Sequence, residues 1–358
     1  MRRRRNIGWV SLIVALGLAL GMSFIPSPYV IEQPGPVFNT LGTTTHDGTE
    51  VPLISITGAP TYPTAGALDM LTVSVVGTPQ SLPSWAEVIS AWFDPSRAAV
   101  PVDAVYPPSV TVEQRDQENT AMMVDSQQEA IAAALTDLSI PFTTTVTVAQ
   151  LADNSAATGV LDVGDVIDSV NGTPVTTVDG LRKAVTANGD ASPATLVITR
   201  KGAQQTVTVT PKKADDGTIL LGIAASASYQ FPFTVDIQLD NVGGPSAGMM
   251  FALGIIDQLT PGQLNGGKNV AGTGTITADG TVGPIGGIRQ KLFGAKQNGA
   301  SYFLAPSSNC DEVTGHVPGG LTVYAVSTLT DSLTALNDIS SGTGLDSLPT
   351  CDSVQASK

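Results

Sequence analysis

The sequence predicts an α+β multidomain chain led by an N-terminal transmembrane helix, and three observations carry that reading. Residues 7–25 hold no charge and follow the basic run Arg2-Arg3-Arg4-Arg5. Runs rich in β-branched residues and bounded by Gly and Pro then recur, reading as short strands. Two helical patterns come late, one after Gly243-Gly244-Pro245-Ser246-Ala247-Gly248 and one after Gly286-Gly287.

Composition narrows the function. The chain has 358 residues, room for about two to three domains. Its net charge is −14, and Arg2 to Arg5 supply four of the 17 basic residues, so the remainder is more acidic still. That argues against nucleic acid as a partner. The two histidines, His46 and His316, exclude His-rich zinc sites, and no metal or cofactor is expected. No G-x-x-x-x-G-K-[ST] motif occurs, so there is no P-loop and no expected use of ATP.

Residues 1–26 read as a basic cytoplasmic tip and a membrane anchor. An uncharged run of about 20 residues spans a bilayer core of about 30 Å. Arginines before it and none soon after predict a single-pass protein of the cell membrane, N-terminus cytoplasmic and body extracytoplasmic. A cleaved signal peptide ending near Ala19-Leu20-Gly21 is the rival reading. The apolar run exceeds the usual h-region of about 7–15 residues, which favours an uncleaved anchor through residues 7–25.

Residues 27–115 form a first, β-rich extracytoplasmic region. Pro26, Pro28, Pro34 and Pro36 stiffen its start, and 51–57 and 68–76 read as strands. Ser84 and Glu87 have the spacing of a capping box. The helix that follows carries Trp85, Val88, Ile89, Trp92 and Phe93 on one face. That face serves either as an aromatic foot at the membrane or as packing against the region's own sheet. Residues 101–108 read as a linker.

A long helix is predicted over 111–138, with Ser126 and Glu129 read as a second capping box. Within 124–213 a strand over 142–148, an Asn171-Gly172 turn, a helix over 178–187 and a hairpin over 195–210 follow. The run Gly164-Asp165-Val166-Ile167, continuing to Val170-Asn171-Gly172, resembles a bacterial PDZ domain. The resemblance implies a groove that takes extended peptide as an added strand. It would lie between the strand holding Thr145, Val146 and Thr147 and the helix carrying Leu181 and Val185. A spacer role is the alternative.

Residues 219–340 hold the candidate chemistry. Pro245 and its glycines break the preceding structure, so Ser246 falls in the first turn of an apolar helix. There backbone N–H groups lack intrahelical partners and face developing negative charge favourably. Gly244 leaves room for a substrate backbone. In the second helix Ile288, Lys291, Leu292 and Ala295 share one face, which puts a lysine on an apolar surface. Desolvation there would lower its pKa from about 10.4 towards roughly 7–8, making it a base for the Ser246 hydroxyl.

Gly244-Pro245-Ser246-Ala247-Gly248, then Ala271-Gly272-Thr273-Gly274-Thr275, then Gly283-Pro284-Ile285-Gly286-Gly287-Ile288-Arg289-Gln290-Lys291 resembles the proteolytic domain of Lon-type serine proteases. By resemblance Ser246 is the nucleophile, Lys291 the general base, and Thr273 a hydroxyl near the lysine. Many Lon sequences carry Asp three residues before the serine, where this chain has Gly243. The order of segments resembles bacterial membrane-anchored, PDZ-containing Lon-like proteases without the ATPase domain. It implies an ATP-independent serine endopeptidase that cuts unfolded or extended protein segments at the outer face of the membrane, with ring assembly, as a hexamer, expected from the family. Two other classes stay open: a non-catalytic PDZ scaffold, and a Ser-His hydrolase using His316. Residues 341–358 form a tail, and Cys310 and Cys351 are expected to pair and pin it.

Overall fold

The computed structural model describes residues 17, 21 and 25–356, apart from 47, 109 and 241. The main strands are β1 (Tyr29–Asn39), β2 (Ala67–Val76), β3 (Ala98–Pro101), β4 (Thr143–Leu151), β5 (Val166–Val170), β6 (Ala194–Arg200), β7 (Ala203–Val209), β8 (Ile223–Gln230), β9 (Asn269–Gly272), β10 (Tyr302–Pro306) and β11 (Thr322–Val326). The main helices are α1 (Trp85–Trp92), α2 (Val112–Asp137), α3 (Val178–Asn188), α4 (Gly248–Leu259), α5 (Ile288–Gln297), α6 (Leu329–Ser341) and α7 (Cys351–Ala356). They divide into two compact units, one comprising Met1–Leu138 with Val235–Lys358, the other Ser139–Thr234.

The first unit is built on a sheet ordered β11-β10-β9-β2-β1-β3. Strands β2, β9, β10 and β11 run parallel, and β1 and β3 add antiparallel at one side. Parallel neighbours need a crossover, and α5 lies in the one between β9 and β10. Phe303, Leu304 and Ala305 of β10 are all buried, as a strand covered on both faces requires. The N-terminal region expected to stand apart over 27–115 thus supplies three strands to the sheet of the Lon-like segment.

Several local expectations differ from the structure for physical reasons. The proline-rich stretch at 29–39 is a strand, and its pairing with β2 shifts register between Pro34 and Val37, where prolines lacking N–H sit at an irregularity. Residues 98–101, which lead into the expected linker at 101–108, form the edge strand beside β1. The Ser84–Glu87 capping box is formed at α1. Tyr29 packs edge-on against Trp85, and Val88 is buried, while Trp92 and Phe93 are exposed. Helix α2 is continuous from its own cap at Thr111–Gln114, so Ser126 and Glu129 lie in its interior and cap nothing.

The transmembrane helix is corrected. Among the described residues no helix is long and apolar enough to cross a membrane. The longest, α2, carries charged and amide side chains through its first half, whereas a span needs about 20 predominantly apolar residues. Of the expected anchor over 7–25, only residues 17, 21 and 25 lie among those described. The single-pass membrane location that rested on this anchor is withdrawn with it, and the fold class becomes a mixed α/β chain.

The second unit is a sheet ordered β7-β6-β5-β4-β8, with α3 packed on it. Asn171 and Gly172 both take positive φ in the predicted turn. The Gly164-Asp165 signature has a structural cause: the buried Asp165 carboxylate accepts Arg200 Nε at 2.7 Å and Nη2 at 2.6 Å. β8 lies beyond the expected end at residue 213 because its alternating Ala and Ser residues complete this sheet rather than open the next domain.

Candidate active site

Ser246 lies just before α4, whose residues from Gly248 to Asp257 are all buried. Burial on every side suits a helix as apolar as this one and makes it a rigid mount. Lys291 enters from α5. That helix starts at Gly287, where the backbone takes φ +67, and buries Ile288, Lys291, Leu292 and Ala295 on its inner face. Burying Ile288 and Leu292 contributes roughly 1.5–3 kcal/mol each to holding that face down. Thr273 follows the C-terminal end of β9, the end at which parallel sheets present groups to ligands.

These three elements bring three side chains together. Lys291 Nζ donates to Ser246 Oγ at 2.8 Å and to Thr273 Oγ1 at 2.9 Å. Thr273 Oγ1 donates to the Ser246 carbonyl at 2.9 Å. Lys291 is 3% exposed and Thr273 1%, while Ser246 is partly open. Burial lowers the Lys291 pKa from 10.5 to about 7, and loss of hydration is the cause. An amine so placed can hold or release a proton near neutrality while bonded to a hydroxyl.

The serine loop is held from α2. Gly244 N–H donates to the Asn119 carbonyl at 2.8 Å, and Ser126 Oγ donates to the Pro245 carbonyl at 3.0 Å. A Cβ on Gly243 would stand 2.7 Å from Asn119 Cβ. The departure at Gly243 therefore follows from α2 lying where a side chain would go. Glu129 accepts from Ala278 N–H at 2.6 Å, tying the same helix to the hairpin after Thr273. The sequence reading missed Asn119, Ser126 and Glu129; the Ser126–Glu129 spacing signals a cap as well as it signals a tertiary contact.

A cavity of about 460 Å³ opens beside Ser246 and Lys291, walled by Thr72, Val73 and Ser74 of β2 and by Met123 of α2. Strand β9 pairs with β2 only from Ala67 to Met70. Among the described residues no strand pairs with that edge of β2 beyond Met70. Neither histidine bonds to Ser246 among the described residues: His316 Nδ1 meets the Thr314 carbonyl at 3.2 Å, and His46 lies 2.9 Å from Asp240. Cys310 and Cys351 form a disulfide that joins α7 to the turn after β10.

The expected peptide groove is placed elsewhere. β4 is flanked by β8 and β5, and Thr145, Val146 and Thr147 pair with Ser228, Ala227 and Ser226. The strand is thus flanked on both sides, and Val146 is fully buried. Leu181 and Val185 do line a groove of about 590 Å³, whose other wall is the stretch from Ile219 to Ala225. The edge strand facing it is β8, not β4.

Comparison with known proteins fits this geometry. Residues 241–337 match the family model of the Lon protease (S16) C-terminal proteolytic domain, and residues 110–210 match that of the PDZ domain. Lon protease 2 of Herpetosiphon aurantiacus is 43% identical over 86 residues, 23% of this chain and 10% of that protein. Lon protease 1 of Sorangium cellulosum is 38% identical over 93 residues, 25% of this chain and 11% of that one. Lon protease 1 of Bacillus subtilis is 27% identical over 187 residues, 49% of this chain and 23% of that one. The chain thus spans at most about a quarter of the length of these relatives. The PDZ domain of an SdrC-like protein of Listeria monocytogenes is 17% identical, covering 22% of this chain and 85% of that one, with a TM-score of 0.21. Two stretches of the chain thus match a Lon-type proteolytic domain and a PDZ domain.

Proposed function

We propose that the protein is a serine endopeptidase with a Ser246–Lys291 dyad, acting on unfolded or extended protein segments without nucleotide. The observation that carries this is the buried Lys291 amine at 2.8 Å from the Ser246 hydroxyl. In the neutral state Nζ takes the Oγ proton as Oγ bonds to the substrate carbonyl carbon. The resulting oxyanion is held by N–H groups of the Ser246 turn. The C–N bond then breaks, Lys291 returns the proton to the leaving amine, and water hydrolyses the acyl-serine. Thr273 orients the lysine and anchors the Ser246 carbonyl.

Extended substrate is favoured by two open strand edges. The edge of β2 beyond Met70 borders the cavity at Ser246 and would pair with the scissile segment. The edge of β8 borders the second groove and would hold another segment of the substrate. The scaffold alternative drew its support from Gly243, and the packing of Asn119 gives that glycine a reason that leaves the dyad intact.

The test is degradation of an unfolded protein by the full chain in nucleotide-free buffer. Wild type cleaves it, and Ser246→Ala slows cleavage by roughly a thousandfold or more. A Ser246→Ala protein that degrades as fast as wild type ends the assignment.

A further inference from the structure

A backbone N–H beside Ser246 can hold an oxyanion only if something aims it at the reacting carbonyl. A planar trans peptide holds its C=O and N–H antiparallel, so fixing one fixes the other. The peptide that joins Pro245 to Ser246 has its carbonyl bound on the α2 side, where Ser126 Oγ donates at 3.0 Å and Gly248 N–H lies at 3.4 Å. The Ser246 N–H is therefore turned away from α2, and among the described residues no acceptor takes it. Two residues before Ser246, Gly244 N–H is bound to the Asn119 carbonyl at 2.8 Å, which pins the other end of the turn to the same helix.

Ser126 has no local use for its hydroxyl. It sits inside α2, 4% exposed, and its hydroxyl crosses to a chain segment 119 residues away. A buried hydroxyl in a helix interior commonly bonds back to the carbonyl four residues earlier, and this one reaches the serine loop. We infer that Ser126 is a positioning residue for the oxyanion donor: it locks the Pro245 carbonyl so that the Ser246 N–H faces the reacting carbonyl oxygen. This rests on the dyad reading above and adds to it the helix that orients the turn. Losing the lock lets the peptide rotate, which weakens a group that matters only in the transition state. Substrate binding through the open strand edges does not depend on it.

The experiment compares Ser126→Ala and Ser126→Thr with wild type in the full chain, using an unfolded protein, a short peptide and a peptidyl boronate that forms a tetrahedral adduct with serine. Removing an oxyanion donor outright costs about 100- to 1,000-fold in kcat, so loosening one should cost about 10- to 100-fold. In Ser126→Ala kcat should fall by that amount with KM within about twofold, boronate affinity should fall in parallel, and the melting temperature should stay close to wild type. Ser126→Thr, which keeps the hydroxyl, should restore most of kcat. A wild-type kcat in Ser126→Ala overturns the inference while leaving the dyad standing. So does a loss of kcat with no loss of boronate affinity, or a loss shared equally by the threonine variant when that variant folds. A wild-type enzyme with no Ser246-dependent turnover overturns the dyad and this inference together.

Discussion

Lys291 and Ser246 are 45 residues apart in the chain, yet the amine of one lies 2.8 Å from the hydroxyl of the other. The crossover from β9 to β10 makes this meeting possible. It carries α5 back over the sheet so that the inward face of the helix meets the turn before α4. Burying an amine there has a cost that can be measured.

The first prediction concerns stability. The folded Lys291 amine has its pKa lowered to about 7, against the ordinary 10.5 of the unfolded chain. Between those values the unfolded chain binds a proton that the folded chain does not, so folding grows more favourable as pH rises. The slope from this group is about 1.4 kcal/mol per pH unit. Lys291→Met should therefore be more stable than wild type by a few kcal/mol at pH 7, and the margin should shrink towards pH 10. Denaturant unfolding at pH 7, 8 and 9 measures it. A margin that is constant across that range contradicts a desolvated amine.

Thr273 joins the lysine to the serine backbone, so its loss should be felt in turnover. Thr273→Val keeps the shape and removes both hydrogen bonds. An unsatisfied buried donor costs about 1–3 kcal/mol, which corresponds to a kcat lower by about 10- to 100-fold. Steady-state kinetics on a short peptide checks this, and an unchanged kcat would remove Thr273 from the site.

The groove beside α3 should matter for long substrates alone. Leu220 lines it and is 42% exposed, so a charge there leaves the core intact. Leu220→Asp should raise KM for an unfolded protein several-fold, from about 1 kcal/mol of lost apolar contact. It should leave a short peptide that reaches only Ser246 unaffected. Equal effects on both substrates would show that the groove takes no substrate.

The site was legible in the sequence because each of its parts is local. Small residues before an apolar run mark the Ser246 turn, and a lysine in register with Ile288, Leu292 and Ala295 marks a buried amine. What holds those parts was not legible. Ser126 and Glu129 have the spacing of a cap, and their partners, Pro245 and Ala278, are more than a hundred residues away. The strand at 29–39 was hidden by its prolines, which sit at a register shift that a sequence pattern does not reveal. The groove was assigned to β4 because β8, short of large apolar residues, did not read as the strand that covers it. The transmembrane expectation came from the length of an uncharged run and the arginines before it, in a stretch of which only three residues are among those described.

The most direct test is the rate at which a serine-reactive phosphonate labels Ser246 in the native protein, followed from pH 5 to 9 in wild type and in Lys291→Met. The account predicts that wild-type labelling rises with pH through a midpoint near 7, as the buried amine becomes neutral, and that the variant is labelled at least about a hundredfold more slowly at every pH. Equal labelling of the two proteins, or a wild-type rate that does not change with pH, would contradict it.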